Sequence, residues 1–335
     1  MRRAPYSPVL AALVLALVVA IVLAVAIGAV AIPPDRVLLS LLGRGDATET
    51  AIVLSIRLPR VLGAALVGAA LAAAGALLQG LLRNPLADPY VLGTSAGASV
   101  GAVIGLVFAG GLGFFVIPGL AFVGAIGSIL IVWRLARVGA ETPVVTLLLA
   151  GIVFSSFAGA IVAFLLVMND RLQLRLASVL GWLMGGISVV TWEQLALSAA
   201  LVALALGAAI ATAWRLDALA LGEETAATLG IDVERSKRGV VTVAALLTAA
   251  AVSIAGLVAF VGLVAPHAAR LVVGPAHARL VPAAALAGAA FVVAADMAAR
   301  VVVAPSELPM GVISGLVGGP FFFALLWRDR AVYRL

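Results

Sequence analysis

Residues 61–82 read Val-Leu-Gly-Ala-Ala-Leu-Val-Gly-Ala-Ala-Leu-Ala-Ala-Ala-Gly-Ala-Leu-Leu-Gln-Gly-Leu-Leu, with no charge anywhere in the run. A helix rises 1.5 Å per residue, so this stretch is about 33 Å long, which matches the hydrocarbon core of a bilayer. Working outward, similar runs recur at about 9–32, 91–109, 112–133, 143–168, 192–214, 239–262, 281–299 and 309–327. A shorter run, 264–274, holds Pro266, His267 and Arg270, and reads either as a short tenth crossing or as a surface segment. Composition agrees. Of 335 residues 64% are hydrophobic and 11% charged, against about 45–50% and 25% in soluble domains. A soluble enzyme is excluded, and the chain reads as a single transmembrane domain over 1–335.

Loop charge sets the parity. With ten crossings, fourteen of the 21 Lys and Arg lie on the side of both termini and seven on the other; with nine, the split is ten to eleven. Positive charge concentrates on the cytoplasmic side of membrane proteins. The expectation is therefore an all-α polytopic protein of about ten transmembrane helices with both termini cytoplasmic. Met1-Arg2-Arg3 and Ala29-Val30-Ala31 also fit a cleaved signal peptide, but the first apolar run is longer than a signal h-region and is read as a retained span.

Three connections are long enough to carry function. The external 33–60 contains Pro33-Pro34 and four Arg; the external 169–191 includes an apolar stretch too short to span, read as an interfacial helix. The cytoplasmic 215–238 is the most polar part of the chain. In it Glu223 and Glu224 follow Gly222 at a helix start, where acidic side chains suit the dipole, and Gly230 is placed to end that helix. This pattern predicts two short helices split by glycine. Asp296 and Arg300, four residues apart, read as an interfacial ion pair with a snorkelling Arg. Gly93, Gly97, Gly101 and Gly105, and again Gly311, Gly315 and Gly319, form flat faces for helix packing.

Absent chemistry is equally informative. The sequence has no Cys and only two His, His267 and His277, which excludes thiolate chemistry and a His/Cys-rich metal site. Its single Lys, Lys237, lies in Arg-Ser-Lys-Arg-Gly, which is not the Gly-x4-Gly-Lys-Ser/Thr of a P-loop. The spans hold no strong candidate for the midplane carboxylate that ion-coupled carriers usually keep.

Motifs in order along the chain complete the reading. Arg57-Leu-Pro-Arg60, Gly75-Ala-Leu-Leu-Gln79-Gly, Arg83-Asn-Pro-Leu-Ala-Asp-Pro89 and Leu92-Gly-Thr-Ser-Ala-Gly97 are followed by Gly181-Trp-Leu-Met-Gly185 and Leu221-Gly-Glu223. Gly262-Leu-Val-Ala-Pro-His267, Leu308-Pro-Met-Gly311 and Gly318-Gly-Pro-Phe-Phe322 close the set. The ordered set resembles the FecCD-type (BtuC-like) permease family of ABC importers for iron–siderophore complexes, haem or cobalamin. The resemblance implies a homodimer with the pore at its interface, two separate ABC ATPase subunits that hold the ATP and Mg, and a periplasmic or lipid-anchored substrate-binding protein, in the bacterial inner membrane. No cofactor is expected in this chain, and membrane lipid rather than nucleic acid surrounds it. By the same resemblance Asn84 and Leu86 belong to the cytoplasmic gate. Asp217, Gly222, Glu223, Glu224 and Gly230 lie in the ATPase-coupling segment, residues 176–186 form the outer-gate helix, and Arg57, Arg60 and Arg300 dock the binding protein. Arg171 and Arg175 have no assigned role. Iron chelates rank first as cargo, cobalamin second and molybdate-like oxyanions last. An ion-coupled carrier and a membrane assembly protein are the competing classes.

Overall fold

The computed structural model describes residues 5–28, 30, 32–108, 115–187 and 191–329. Ala29 and Ala31 of the signal-peptide reading lie outside the described residues, as do the terminal Arg2, Arg3, Arg330 and Arg334. Fifteen α-helices follow one another among the described residues, with no strand: α1 Tyr6–Ala26, α2 Pro34–Leu41, α3 Ala47–Ala51, α4 Leu58–Leu81, α5 Thr94–Phe108, α6 Val116–Ala136, α7 Val144–Met168, α8 Asp170–Leu174, α9 Leu176–Leu183, α10 Trp192–Ala220, α11 Glu223–Thr228, α12 Val233–Ala255, α13 Val261–Val273, α14 His277–Val301 and α15 Met310–Asp329. Seven helical segments are long and apolar enough to cross a membrane; three shorter apolar ones, Thr94–Val107, Val261–Val273 and Met310–Leu325, occupy the remaining runs. The expected interfacial helix of the 169–191 connection is α9, preceded by the single turn α8.

Boundaries differ from the sequence reading where apolar composition hides a break. The run 239–262 is not one helix: α12 ends at Ala255, Gly256 and Phe260 take positive φ, and α13 starts at Val261. Pro266 and His267 therefore sit inside α13. Conversely α4 begins without a break, because α3 runs through a π-helical stretch, Ile52–Arg57, straight into it. Pro59 has no N–H to give and crowds the carbonyl of the residue four earlier, and a widened turn accommodates both.

α4 is the central post. Over the most apolar part of its segment 78% of residues are buried, against 11% for α1 and 17% for α7, whose apolar side chains face outward as lipid-facing helices do. α4 lies antiparallel to α14 with the backbones touching: a Cβ on Gly68 would strike the Gly288 carbonyl, and one on Gly288 would strike Ala72 and the Gly68 carbonyl. Gly75 meets the Gly262 carbonyl of α13 in the same way. Of the two predicted glycine ladders, Gly97 and Gly101 pack against backbone of α6 and Gly105 against Ile117. Gly93 is instead a left-handed residue (φ 80°) ending the 3-10 turn Pro89–Leu92. In the second ladder Gly311 abuts the Met184 carbonyl, while Gly315 and Gly319 have nothing near them within this chain.

A side chain at Gly75 must push two backbones apart, whereas one at Gly127 enters open space. Overpacking of this kind costs about 1–3 kcal/mol or more. Gly75→Val is expected to lower the thermal midpoint in detergent by several degrees, and Gly127→Ala to leave it unchanged. Equal midpoints for both would refute the close-packed α4–α13 contact.

Candidate functional site

The polar segment 215–238 is built differently from two equal short helices. Leu216 and Leu219 are buried, so α10 continues unbroken to Ala220 and carries Asp217 in its last turns. Gly222 then takes φ 125°, which a side chain disfavours, and turns the chain into α11 with Glu223 and Glu224 in its first turn. At the other end Gly230 adopts φ 79°; its N–H donates to the Ala227 carbonyl and the Ile231 N–H to the Ala226 carbonyl. That pair of bonds is a Schellman cap, the ending expected of this glycine. Asp232 caps α12 by accepting from the Arg235 N–H at 2.9 Å.

Three polar ties anchor this segment, none of them anticipated from sequence. Asp217 Oδ1 accepts from the His277 N–H at 3.0 Å and lies 2.6 Å from His277 Nδ1. Ala276, the residue before α14, has no side-chain acceptor, so a carboxylate from α10 satisfies an orphan N–H of that helix start. Arg83 donates from Nη2 to the Leu219 carbonyl at 2.7 Å. Lys237 is 4% exposed, with Nζ 2.6 Å from Glu223 and 3.0 Å from Glu234, and donates to the Thr142 carbonyl at 3.4 Å. A cleft of about 360 Å³ opens beside the Lys237–Glu223 pair, lined also by Leu82, Arg83, Glu141 and Val145. A lone lysine among 21 cationic residues was the one available signal; its partners were not visible because they come from three elements.

The loop after α4 is tied to the same end. Asn84 Oδ1 accepts from the Leu86 N–H at 2.9 Å, a self-closed turn that presents half-buried Leu86. Buried Gln79 fixes the loop from below: its Nε2 reaches the Ala87, Gly262 and Leu263 carbonyls at 3.3–3.4 Å, and its Oε1 accepts from Arg270 at 2.9 Å. Asp88 caps the following turn through the Tyr90 N–H at 2.9 Å. Burial pushes the Asp88 carboxyl up to about 6, opposed by that N–H. The folded loop thus holds a proton that an unfolded carboxyl releases near about pH 4. Its contribution to stability is full below about pH 4 and is lost as pH rises through 6.

The opposite end of α4 corrects the view of Arg57 and Arg300 as surface charges. Arg57 and Arg300 are 5% and 4% exposed. Arg57 donates to the carbonyls of Val25, Ala26 and Val30, and Arg300 to those of Ala24 and Ile27 at 2.9 and 3.2 Å. Five carbonyls at and beyond the end of α1, four of them from its last residues and Ile27, are thereby satisfied where no following helical N–H can reach them. Asp296, fully buried, bridges Arg300 and Arg60: Arg300 Nε lies 3.0 Å from its Oδ2 and Arg60 Nε donates to its Oδ1 at 3.0 Å. Arg60, whose side chain is 15% exposed, also donates to Glu307 at 2.9 Å, and Glu307 forms the exposed lip of the cluster. Arg175 immediately precedes α9; the Arg171 side chain lies outside the described residues. His267 stacks edge-on against Phe321 at 6.1 Å. Among the described residues no group of three or more His, Cys, Asp or Glu is placed to hold a metal ion.

An all-helical bundle among the described residues, with apolar outward-facing helices, small-residue backbone contacts and a polar segment at one end, defines a multi-pass integral membrane protein. The chain matches the FecCD transport family over residues 16–328 and belongs to that family. It is 44% identical to the cobalamin import system permease protein BtuC of Halobacterium salinarum, over 86% of this chain and 76% of that one. It is 39% identical to the ferric enterobactin transport system permease protein FepG of Escherichia coli, over 90% of each. It is 37% identical to the hemin transport system permease protein HmuU of Yersinia pestis, over 83% and 84%. A solved structure of an inward-facing, metal-chelate type ABC transporter superposes with a TM-score of 0.84 at 29% identity, over 96% of this chain and 99% of that one.

Removing one member of a buried ion-pair network strands the others and costs about 3–5 kcal/mol. Arg300→Met should therefore strongly lower the thermal midpoint, and adding Asp296→Asn should recover part of the loss. A wild-type midpoint for Arg300→Met would show that Arg300 carries no such load.

Proposed function

We propose that this chain is the membrane-spanning permease subunit of an ATP-driven importer of iron chelates, siderophore or haem, acting as a homodimer in the cytoplasmic membrane with ten crossings and both termini inside. What supports the reading is a family match over nearly the whole chain together with the polar α10–α11–α12 end, where α10 is tied through Leu219 to Arg83 of the loop after α4. Two separate ATPase subunits would dock on the α11 end, and a substrate-binding protein on the Arg60–Glu307 end. Cobalamin is the second reading, favoured by the 44% identity to a cobalamin permease. All three named relatives carry bulky metal chelates, so the shared cargo chemistry is a large chelate rather than a bare ion. The test is ATP-dependent uptake in proteoliposomes holding permease, ATPase and binding protein, with ferric siderophore, haem and cobalamin compared. Uptake of none of them would refute the proposal; uptake of cobalamin alone would select the second reading.

Binding of ATP in trans would move α11, and the ties at Asp217, Arg83 and Lys237 would pass that movement to α14, the gate loop and α12. Leu86 on its Asn84 turn closes the pore at this end. Leu86→Ala should raise the leak of small solutes from sealed proteoliposomes in the absence of ATP. An unchanged leak from correctly folded protein would remove Leu86 from the gate.

Docking of the binding protein rests on Arg60 and Glu307 directly, with Arg57 and Arg300 holding the end of α1 behind them. Exposed charges are screened over about 8–10 Å, so association should weaken with salt, and Arg60→Gln, compared at a temperature where it stays folded, should slow it. Identical, salt-independent association for both proteins would overturn this assignment.

A further inference from the structure

We infer that Lys237, the only lysine, is a positioning residue that latches α11 in the orientation from which it couples to the ATPase. The inference deepens the coupling proposal above and rests on it. α11 has six residues, too few to hold a helix by itself in water. Ala226 is its one buried side chain, and the other five are exposed. Its placement therefore depends on its ends. Gly222 and Gly230 supply the turns, but a glycine turn gives direction without rigidity, since it has no side chain to pack.

Lys237 supplies the missing fixed point. It projects from the second turn of α12, is buried, and bridges three separate elements: Glu223 at the start of α11, Glu234 on its own helix, and the Thr142 carbonyl just before α7. Glu234 is itself held, because it accepts from the Thr142 N–H at 3.2 Å. Three positions within one small volume thus fix where the ammonium sits, and Glu223 follows it. An ammonium suits this role because it is compact and offers three donors in different directions, which the three acceptors use. Of the two acids, Glu234 is 26% exposed and Glu223 45%. The Glu223 bond is thus the one that water and a docking partner can reach, and the one whose breaking would free α11 while leaving α12 and α7 joined.

The absence of Cys from the sequence allows a clean test with spin labels at Thr225→Cys on α11 and Val145→Cys on α7, both exposed. In the full-length permease the label–label distance distribution should be narrow, and should broaden in both Lys237→Met and Glu223→Gln. Glu223→Gln leaves Lys237 its other partners, so it tests the latch even if Lys237→Met folds poorly. In the complete importer, ATP consumed per chelate imported should rise roughly tenfold in either variant. It should rise no further in the double variant, because both remove one interaction. An unchanged distance distribution, or additive losses in the double variant, would overturn the latch. Broadening with a normal ATP ratio would also overturn it, and Gly230→Val then separates the two ideas. If Gly230→Val uncouples, α11 couples without Lys237. If it too transports normally, the coupling role of α11 falls.

Discussion

Gly68 of α4 and Gly288 of α14 lie backbone against backbone, and both ends of the molecule take their register from that contact. In lipid, a leucine gains nothing by meeting another leucine, so helices associate only where close approach adds dispersion and excludes lipid. Glycine on both partners permits that approach. Because the helices are antiparallel, the contact sets two polar meetings about 30 Å apart along α4. At one, Arg60 reaches Asp296; at the other, His277 packs over Gly80, where a side chain would collide with its ring. A slip of one helical turn would break both meetings at once, leaving Asp296 buried beside an incomplete set of cations.

The two ends are held by different chemistry. At the Arg57 end, three guanidinium groups and two carboxylates surround the end of α1, and the inner members are buried. Such clusters are rigid because removing any member leaves an uncompensated charge in a poor solvent for it. At the α11 end the ties are dispersed among several elements rather than gathered in one cluster: Arg83 to Leu219, Gln79 to Ala87, Asp217 to His277, and Lys237 to Glu223 and Glu234. Each contributes on the order of 1 kcal/mol, somewhat more where one partner is charged.

The apolar runs and their small residues made the bundle legible, because a run of twenty uncharged residues has few other fates. Gly222 and Gly230 were legible for a related reason: both sit where the chain must turn sharply beside a short helix, and both take positive φ. What stayed hidden was direction. Loop charge says on which side of the membrane Arg57 and Arg300 lie, not whether they point outward or back into the α1 terminus, and here they point back. The break between α12 and α13 was hidden because its residues are as apolar as the helices on either side. Lys237, Gln79 and His277 were hidden because their partners lie up to 191 residues away in the case of Gln79 with Arg270, and only packing brings them together.

These arrangements bear on how a permease of this family can be driven from one side. Under the proposed coupling, force applied at α11 would meet first the Lys237–Glu223 bond and the separate ties around it, and then the glycine-packed α4–α14 pair. That pair would transmit the displacement as a unit, because its backbones leave no slack for side chains to absorb. The displacement would reach the far end at Asp296 and Arg60, where the cluster is buried inside but ends in a half-exposed Glu307. A tilt of the pair would therefore change the outer lip, Arg60 against Glu307, before it disturbs the anchoring of α1.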